Sequence, residues 1–180
     1  MPETDLHSTS QKNIRTVPEI DLYLMQFVKI EPSKAGEVHQ LDIMIFIDSA
    51  WSEKSWQDEL ENAVVVLLQD EQKHNIGFLA VSQSGSDLEI RKIGILTEWR
   101  RKGLGSNLLH HCLEIGKQMM CERVLLDVAV KNKAAIDFYL KNGFIELGHR
   151  RRYYRNGDDA LLLVFTYHPQ HSLRHLQSNL

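Results

Sequence analysis

Apolar residues recur along this chain with two different periods, and segments of the two kinds follow one another from end to end. Stretches rich in β-branched and aromatic residues fall at 22–30, 63–69, 76–83, 88–95, 124–130, 144–147 and 160–167 and read as strands. Leu104, Leu108, Cys112, Ile115 and Met119 recur at steps of three and four, so 103–120 reads as a helix with one apolar face turned to a sheet. Pro32-Ser33 opens a helix to about residue 47 with Ser33 as its N-cap, and Ser52 caps a shorter helix through Leu60. A fourth helix covers 133–140 and breaks before Gly143, and turns fall at 70–75, 84–86 and Asn156-Gly157. The order is β-α-α-β-β-β-α-β-α-β-β, without repeats or an interdomain linker. It predicts one mixed-sheet α/β (α+β) domain over 21–168, with a polar extension at 1–20 and a polar tail at 169–180.

One strand is irregular in a way that matters. Within 88–95, Leu88 and Ile90 share one face, yet Ile93 and Ile95 have the opposite parity. One extra residue at Arg91 or Lys92, a β-bulge, returns all four to one face, bends the strand and frees backbone groups beyond it. The alternative is a solvated break in an edge strand. The strand then runs into Arg100-Arg101-Lys102-Gly103-Leu104-Gly105-Ser106 at the start of the helix. A helix N-terminus carries unpaired N–H groups and partial positive charge, and glycines let a ligand approach the backbone, so this turn suits a phosphate. An ordinary glycine turn between solvated basic residues is the plainer account. Other phosphate motifs fit poorly: no Lys-Ser or Lys-Thr follows Gly105, and Leu108 stands where a dinucleotide turn needs its third glycine.

Composition narrows the partners. The 180 residues are 43% hydrophobic and 25% charged with a formal net charge of −3, which gives no general attraction to nucleic acid or anionic membrane. No apolar run approaches the roughly 20 residues that span a bilayer, and the opening residues do not form a signal peptide. Cys112 and Cys121 read as lying on one helix, nine residues apart, as buried apolar residues in a reducing compartment. A cytoplasmic protein is the expectation, with no bound metal. His168, His171 and His175 show no ligand spacing beyond a chance helical face and read as a solvated tail.

The Arg-x-x-Gly-x-Gly turn at 100–105, together with the element order, resembles the GNAT superfamily of N-acetyltransferases. Within it, the chain is most similar to the bacterial ribosomal-protein-alanine N-acetyltransferases (the RimI group). The supporting segments are Trp51-Ser52-Glu53-Lys54, then Asn132 to Tyr139 with Gly143-Phe144, then Arg150-Arg151-Arg152-Tyr153-Tyr154. The resemblance implies acetyl-CoA as acetyl donor, held by the backbone of Ile93, Gly94 and Ile95. Its pyrophosphate would lie at Arg101, Lys102, Gly103, Leu104, Gly105 and Ser106, with Arg100 as a further cation and Asn132 as a further contact. It implies Tyr139 as general acid, and a general base at Asp127, where the family has glutamate. Trp51, Tyr153 and Tyr154 would wall the acceptor groove.

The bare residues leave alternatives open. Tyr139 also suits a packed core tyrosine, and Asp127, inside an apolar strand, also suits a structural carboxylate holding an arginine or a backbone N–H. The acceptor implied is a protein N-terminus, of a small-subunit ribosomal protein beginning with alanine. A lysine or small-molecule amine, or a non-catalytic acetyl-CoA-binding module, are the competing readings. An α-amine of pKa about 7.8 is about one-seventh neutral at pH about 7, against under about one part in a thousand for lysine, so it asks less of a shorter carboxylate. The cysteines show no orienting partner, which favours direct transfer over an acetyl-cysteine route.

Overall fold

The protein is described by a computed structural model over residues 25–167. The extension 1–20, the first residues of the strand at 22–30 and the histidines at 168, 171 and 175 lie outside the described residues. Within them the strands are β1 Gln26–Lys29, β2 Val64–Gln69, β3 Asn75–Ser84, β4 Asp87–Ile95, β5 Arg123–Ala129, β6 Ile145–Arg150 and β7 Ala160–Thr166. The helices are α1 Ala35–Phe46, α2 Glu53–Asn62, α3 Leu104–Gln118 and α4 Lys133–Lys141. The element order is the one read from the pattern.

Local chemistry explains the element ends, with two corrections. Ser52 accepts from Ser55 N at 3.1 Å and caps α2 as expected. Ser33 does not cap α1. Proline suits a first helical turn, so Pro32–Lys34 forms a 3₁₀ turn that contains Ser33, and α1 begins at Ala35 after an uncapped Lys34. Cys121 lies beyond α3 rather than on it, because the helix ends at Gln118 and Met120 turns left-handed at φ 56°. Both cysteines are nonetheless buried and free.

The seven strands form one sheet in the order β1-β2-β3-β4-β5-β7-β6, antiparallel except between β4 and β5. Helices α1 and α2 cover one face through Val38, Leu41, Ile45, Trp56 and Leu60, packed on Val65, Leu67, Phe78 and Ala80. Helices α3 and α4 cover the other through Leu104, Leu108, Cys112, Ile136 and Tyr139, packed on Leu79, Leu88, Ile90, Leu126 and Leu163. Burial of these side chains is the main stabilising term, at about 25 cal/mol per Å² of apolar surface.

The parity change in β4 is a bulge at Arg91. Ile90 pairs with Val81 and Lys92 with Ala80, so Arg91 is the extra residue. Leu88, Ile90, Ile93 and Ile95 therefore all pack on the α3–α4 side. Arg91 and Lys92 both turn to the α1–α2 side, where Arg91 binds Glu59 of α2 at 3.1 Å and Lys92 binds Asp42 of α1 at 2.8 Å. The pairing of β4 with β5 stops at Ile90–Leu126, just before the bulge. Beyond that point the two strands part like the arms of a fork.

Asp42 is fully buried and is the acceptor for three donors: Lys92 Nζ, the Trp56 indole N–H at 2.9 Å and the Trp51 backbone N–H at 2.8 Å. Lys92 also donates to Ser49 O at 2.9 Å and lies over the rings of Phe46 and Trp51. One buried carboxylate thus ties the bulge to α1, α2 and the loop between them. Asp42→Leu would leave the ammonium and the indole N–H without an acceptor. A loss of about 3–5 kcal/mol is expected, read as a lower urea midpoint. A change below about 1 kcal/mol would mean that the network contributes little.

Candidate active site

The open arm of β4 carries Ile93, Gly94 and Ile95, which pair with Leu79, Phe78 and Gly77 of β3 on one side and, among the described residues, with no strand on the other. A cavity of about 510 Å³ lies against this arm, lined by Ile93, Gly94, Ile95, Arg100 and Asn132 with Ile45 to Asp48 at the end of α1. Five residues singled out from the sequence are thereby brought together. Gly94 has a packing reason as well: a Cβ there would meet Phe46 Cε2 at 2.7 Å and Ile45 Cγ2 at 2.8 Å. Its missing side chain lets the end of α1 close over the strand.

At the end of this arm a 3₁₀ turn, Thr97–Trp99, leads into the glycine turn. Gly103 has φ 82°, a left-handed conformation that glycine adopts without strain, and it occupies the N-cap of α3. No side chain caps this helix, and its first intrahelical bond runs from Asn107 N to Gly103 O. The N–H groups of Leu104, Gly105 and Ser106 therefore present the positive end of a 15-residue helix. At Gly105 a Cβ would meet Phe138 at 3.5 Å, an ordinary contact, so packing alone does not require glycine there. Arg100 turns back to donate to Ile95 O at 2.9 Å, while Lys102 lies over Trp99. Asn132 caps α4 by accepting from Ala135 N at 3.2 Å, which leaves its amide N–H₂ at the cavity wall. Backbone donors at a helix N-terminus beside a strand with free groups fit an extended ligand bearing a pyrophosphate.

Asp127 is the first residue of β5 beyond the fork, on the face opposite Leu126 and Val128. Its side chain is 9% exposed. One oxygen accepts from Arg150 Nη1 at 2.9 Å; the other, Oδ1, is buried. Tyr154 donates to the Asp127 carbonyl at 3.3 Å, and Tyr153 stands edge-on to Tyr154 with Arg150 over its ring. Burial, then the Asp127 charge, pushes the Tyr154 phenol up to about 12. Arg150, quoted above only within a motif, is the member of this cluster that the sequence reading did not single out. A reach across β7 between residues 23 apart leaves no trace in local spacing.

Tyr139 lies on the opposite face, on α4, buried against Phe138 and Phe144. Burial raises its phenol well above the usual value, with Cys112 and Tyr154 adding to the shift, so it remains protonated at neutral pH. Cys112 is pushed up to about 12 by burial and then by Cys121, and burial also raises Cys121, so neither thiol is an effective nucleophile near pH about 7. Trp51 packs tilted against Trp56, ring centroids 4.8 Å apart, and belongs to the Asp42–Lys92 network rather than to the cavity lining. Among the described residues no group of three or more His, Cys, Asp or Glu side chains is placed to hold a metal ion.

Comparison with known proteins accords with this geometry. Residues 30–144 match the profile of the Acetyltransferase (GNAT) family. The chain is 32% identical over 132 residues, 72% of its length and 87% of the relative's, to a Bacillus subtilis (strain 168) protein assigned as a [ribosomal protein bS18]-alanine N-acetyltransferase. It is 29% identical over 136 residues, 73% of its length and 80% of the relative's, to N-alpha-acetyltransferase 50 of Danio rerio. In fold it is similar to the crystal structure of the ribosomal-protein-S18-alanine N-acetyltransferase from Escherichia coli, with a TM-score of 0.72 at 23% identity. That likeness covers 79% of this chain and 93% of the other.

The raised phenols and thiol have a consequence for stability. A group whose pKa is higher folded than unfolded stabilises fully below its unfolded pKa, and that contribution is lost as pH rises through the folded one. Tyr139, Tyr154, Tyr167 and Cys112 all shift in this direction. The urea midpoint should therefore fall as pH rises beyond about 9 to 10, and fall less steeply in Tyr139→Phe. Equal slopes for the two proteins would show that Tyr139 contributes nothing to this dependence.

Proposed function

The chain belongs to the acetyltransferase (GNAT) family and is an N-acetyltransferase; from that premise we propose that it moves acetyl from acetyl-CoA directly to the N-terminal α-amine of a protein. The acceptor is a small-subunit ribosomal protein that begins with alanine, met in the cytoplasm. The observation that carries the reading is the fork itself. Its open β4 arm ends in an uncapped helix N-terminus, and its β5 arm begins with the Asp127 carboxylate, held by Arg150. The acceptor class rests on the relatives assigned to α-amines over about three-quarters of this chain.

Family members use acetyl-CoA, which in this reading would lie along the open arm of β4. The backbone of Ile93, Gly94 and Ile95 aligns the acetyl-pantetheine portion like an added strand. The N–H groups of Leu104, Gly105 and Ser106 take the pyrophosphate, with Arg101 and Lys102 supplying positive charge and Asn132 a further donor. The acceptor enters from the α1–α2 face, past Tyr153, Tyr154 and the loop that Trp51 anchors. Its ammonium gives a proton to Asp127, directly or through one water, and the neutral amine attacks the thioester carbon. The C–N bond forms, the C–S bond breaks and the electron pair leaves on sulfur. Tyr139 donates to that sulfur. Because burial raises its phenol far above a thiol of about 8.5, full proton transfer is uphill, so its main contribution is a hydrogen bond to the developing thiolate.

Purified protein, acetyl-CoA and two peptides test this, one with a free N-terminal alanine and one blocked there but carrying lysine. Transfer to the alanine terminus is expected; transfer to lysine alone would overturn the α-amine reading. Asp127→Asn should lower kcat about 10²- to 10⁴-fold with acetyl-CoA affinity kept. An unchanged rate at every pH tried would remove Asp127 from the chemistry.

A further inference from the structure

Asp127 and Arg150 form an ion pair that is satisfied on one side only. Arg150 ends β6, and β7 lies between it and Asp127 on β5, so the arginine reaches across a whole strand to make the contact. A pair serving stability alone gains most when the guanidinium takes both carboxylate oxygens. Here it takes Oδ2 from one nitrogen and leaves Oδ1 outside the pair, in a side chain more than nine-tenths buried. Arg150 therefore fixes the carboxylate at one oxygen, and Tyr153 is its other polar neighbour. The rings of Tyr153 and Tyr154 stand beside the carboxylate; burial, then the Asp127 charge and a hydrogen bond to Asp127, raise the Tyr153 phenol. The position, one residue past the end of β4–β5 pairing, is where the two arms open.

We propose that Arg150 is a positioning residue for acetyl transfer: it grips Asp127 through Oδ2 and fixes the orientation of the carboxylate beside the fork. This rests on the reading of Asp127 as the group that takes the amine proton. Two features fix the arginine's own direction: its strand register opposite Ala160 and its packing over Tyr153. With the arginine gone, the carboxylate loses the contact that fixes its orientation beside the fork. Misplacement of a reacting group by about 1 Å costs up to about a hundredfold in rate without any change in donor binding. The Arg150 side chain is 48% exposed, so its removal empties no part of the core.

A double-mutant cycle in the full chain tests this, with acetyl-CoA and whichever of the two peptides the wild type acetylates. Arg150→Ala should lower kcat about tenfold or more while KM for acetyl-CoA stays within about twofold. Arg150→Lys, which keeps the charge but not the fork geometry, should recover part of that loss. In an Asp127→Asn background, Arg150→Ala should cost nothing further, because the arginine acts through the carboxylate. An unchanged kcat in Arg150→Ala, or losses that simply multiply in the double variant, would overturn the proposal. So would a lower urea midpoint with KM for acetyl-CoA raised in step, since that pattern marks a merely structural pair. A wild type active on lysine alone would sink the α-amine reading, yet the cycle run on that peptide would still decide the role of Arg150.

Discussion

One extra residue in one strand organises most of what this molecule can do. Arg91 has no counterpart on β3, so the chain on either side of it shows the same face to α3 and α4, while Arg91 and Lys92 turn together toward α1 and α2. A bulge of this kind is held only if its displaced side chains find partners. Lys92 finds a fully buried carboxylate in Asp42, and Arg91 finds Glu59. The same step bends β4 away from β5 directly after their last pair, Ile90 with Leu126. The open edge, the cavity against it and the isolated position of Asp127 all follow from that single irregularity.

The division of labour across the sheet has a physical basis. The α3–α4 face is apolar and holds Tyr139 in an environment that disfavours its ionised form, which suits a proton or hydrogen-bond donor. The α1–α2 face beside the fork is charged and aromatic, with Asp127, Arg150, Tyr153 and Tyr154 grouped together. The opening between β4 and β5 is where the two chemistries meet. In the proposed direct transfer the amine would arrive on one face and the sulfur leave toward the other, so the two would not share a binding surface. The buried, proton-holding cysteines fit that route, since neither offers a thiolate to carry an acetyl group.

Much of this was legible in the residues because it depends on neighbours in sequence. Strand parity at Leu88, Ile90, Ile93 and Ile95 located the bulge to within a residue, and Gly103 with Gly105 marked the helix start that presents its N–H groups. The apolar stripe of α3 and the Ser52 cap were read for the same reason, as each is a matter of spacing within one element. Ser33 was misread by a local competition, since Pro32 opened its own turn one residue earlier. Cys121 was misplaced because a helix end decided by a left-handed residue at Met120 leaves only a weak signal.

By itself, then, the sequence determined the order of elements, the irregular strand and the glycine turn, all properties of short segments with their own periodicity and turn chemistry, whereas Asp127 and Tyr139 were candidates through the family resemblance. Tertiary structure alone decided what those segments face. It placed Asp127 at the first position of the fork and gave it Arg150 as a partner from across β7. It also assigned Trp51 to the Asp42–Lys92 network rather than to the cavity lining, through contacts between residues as far as 50 positions apart. Such contacts depend on strand order and register, which side-chain periodicity does not encode.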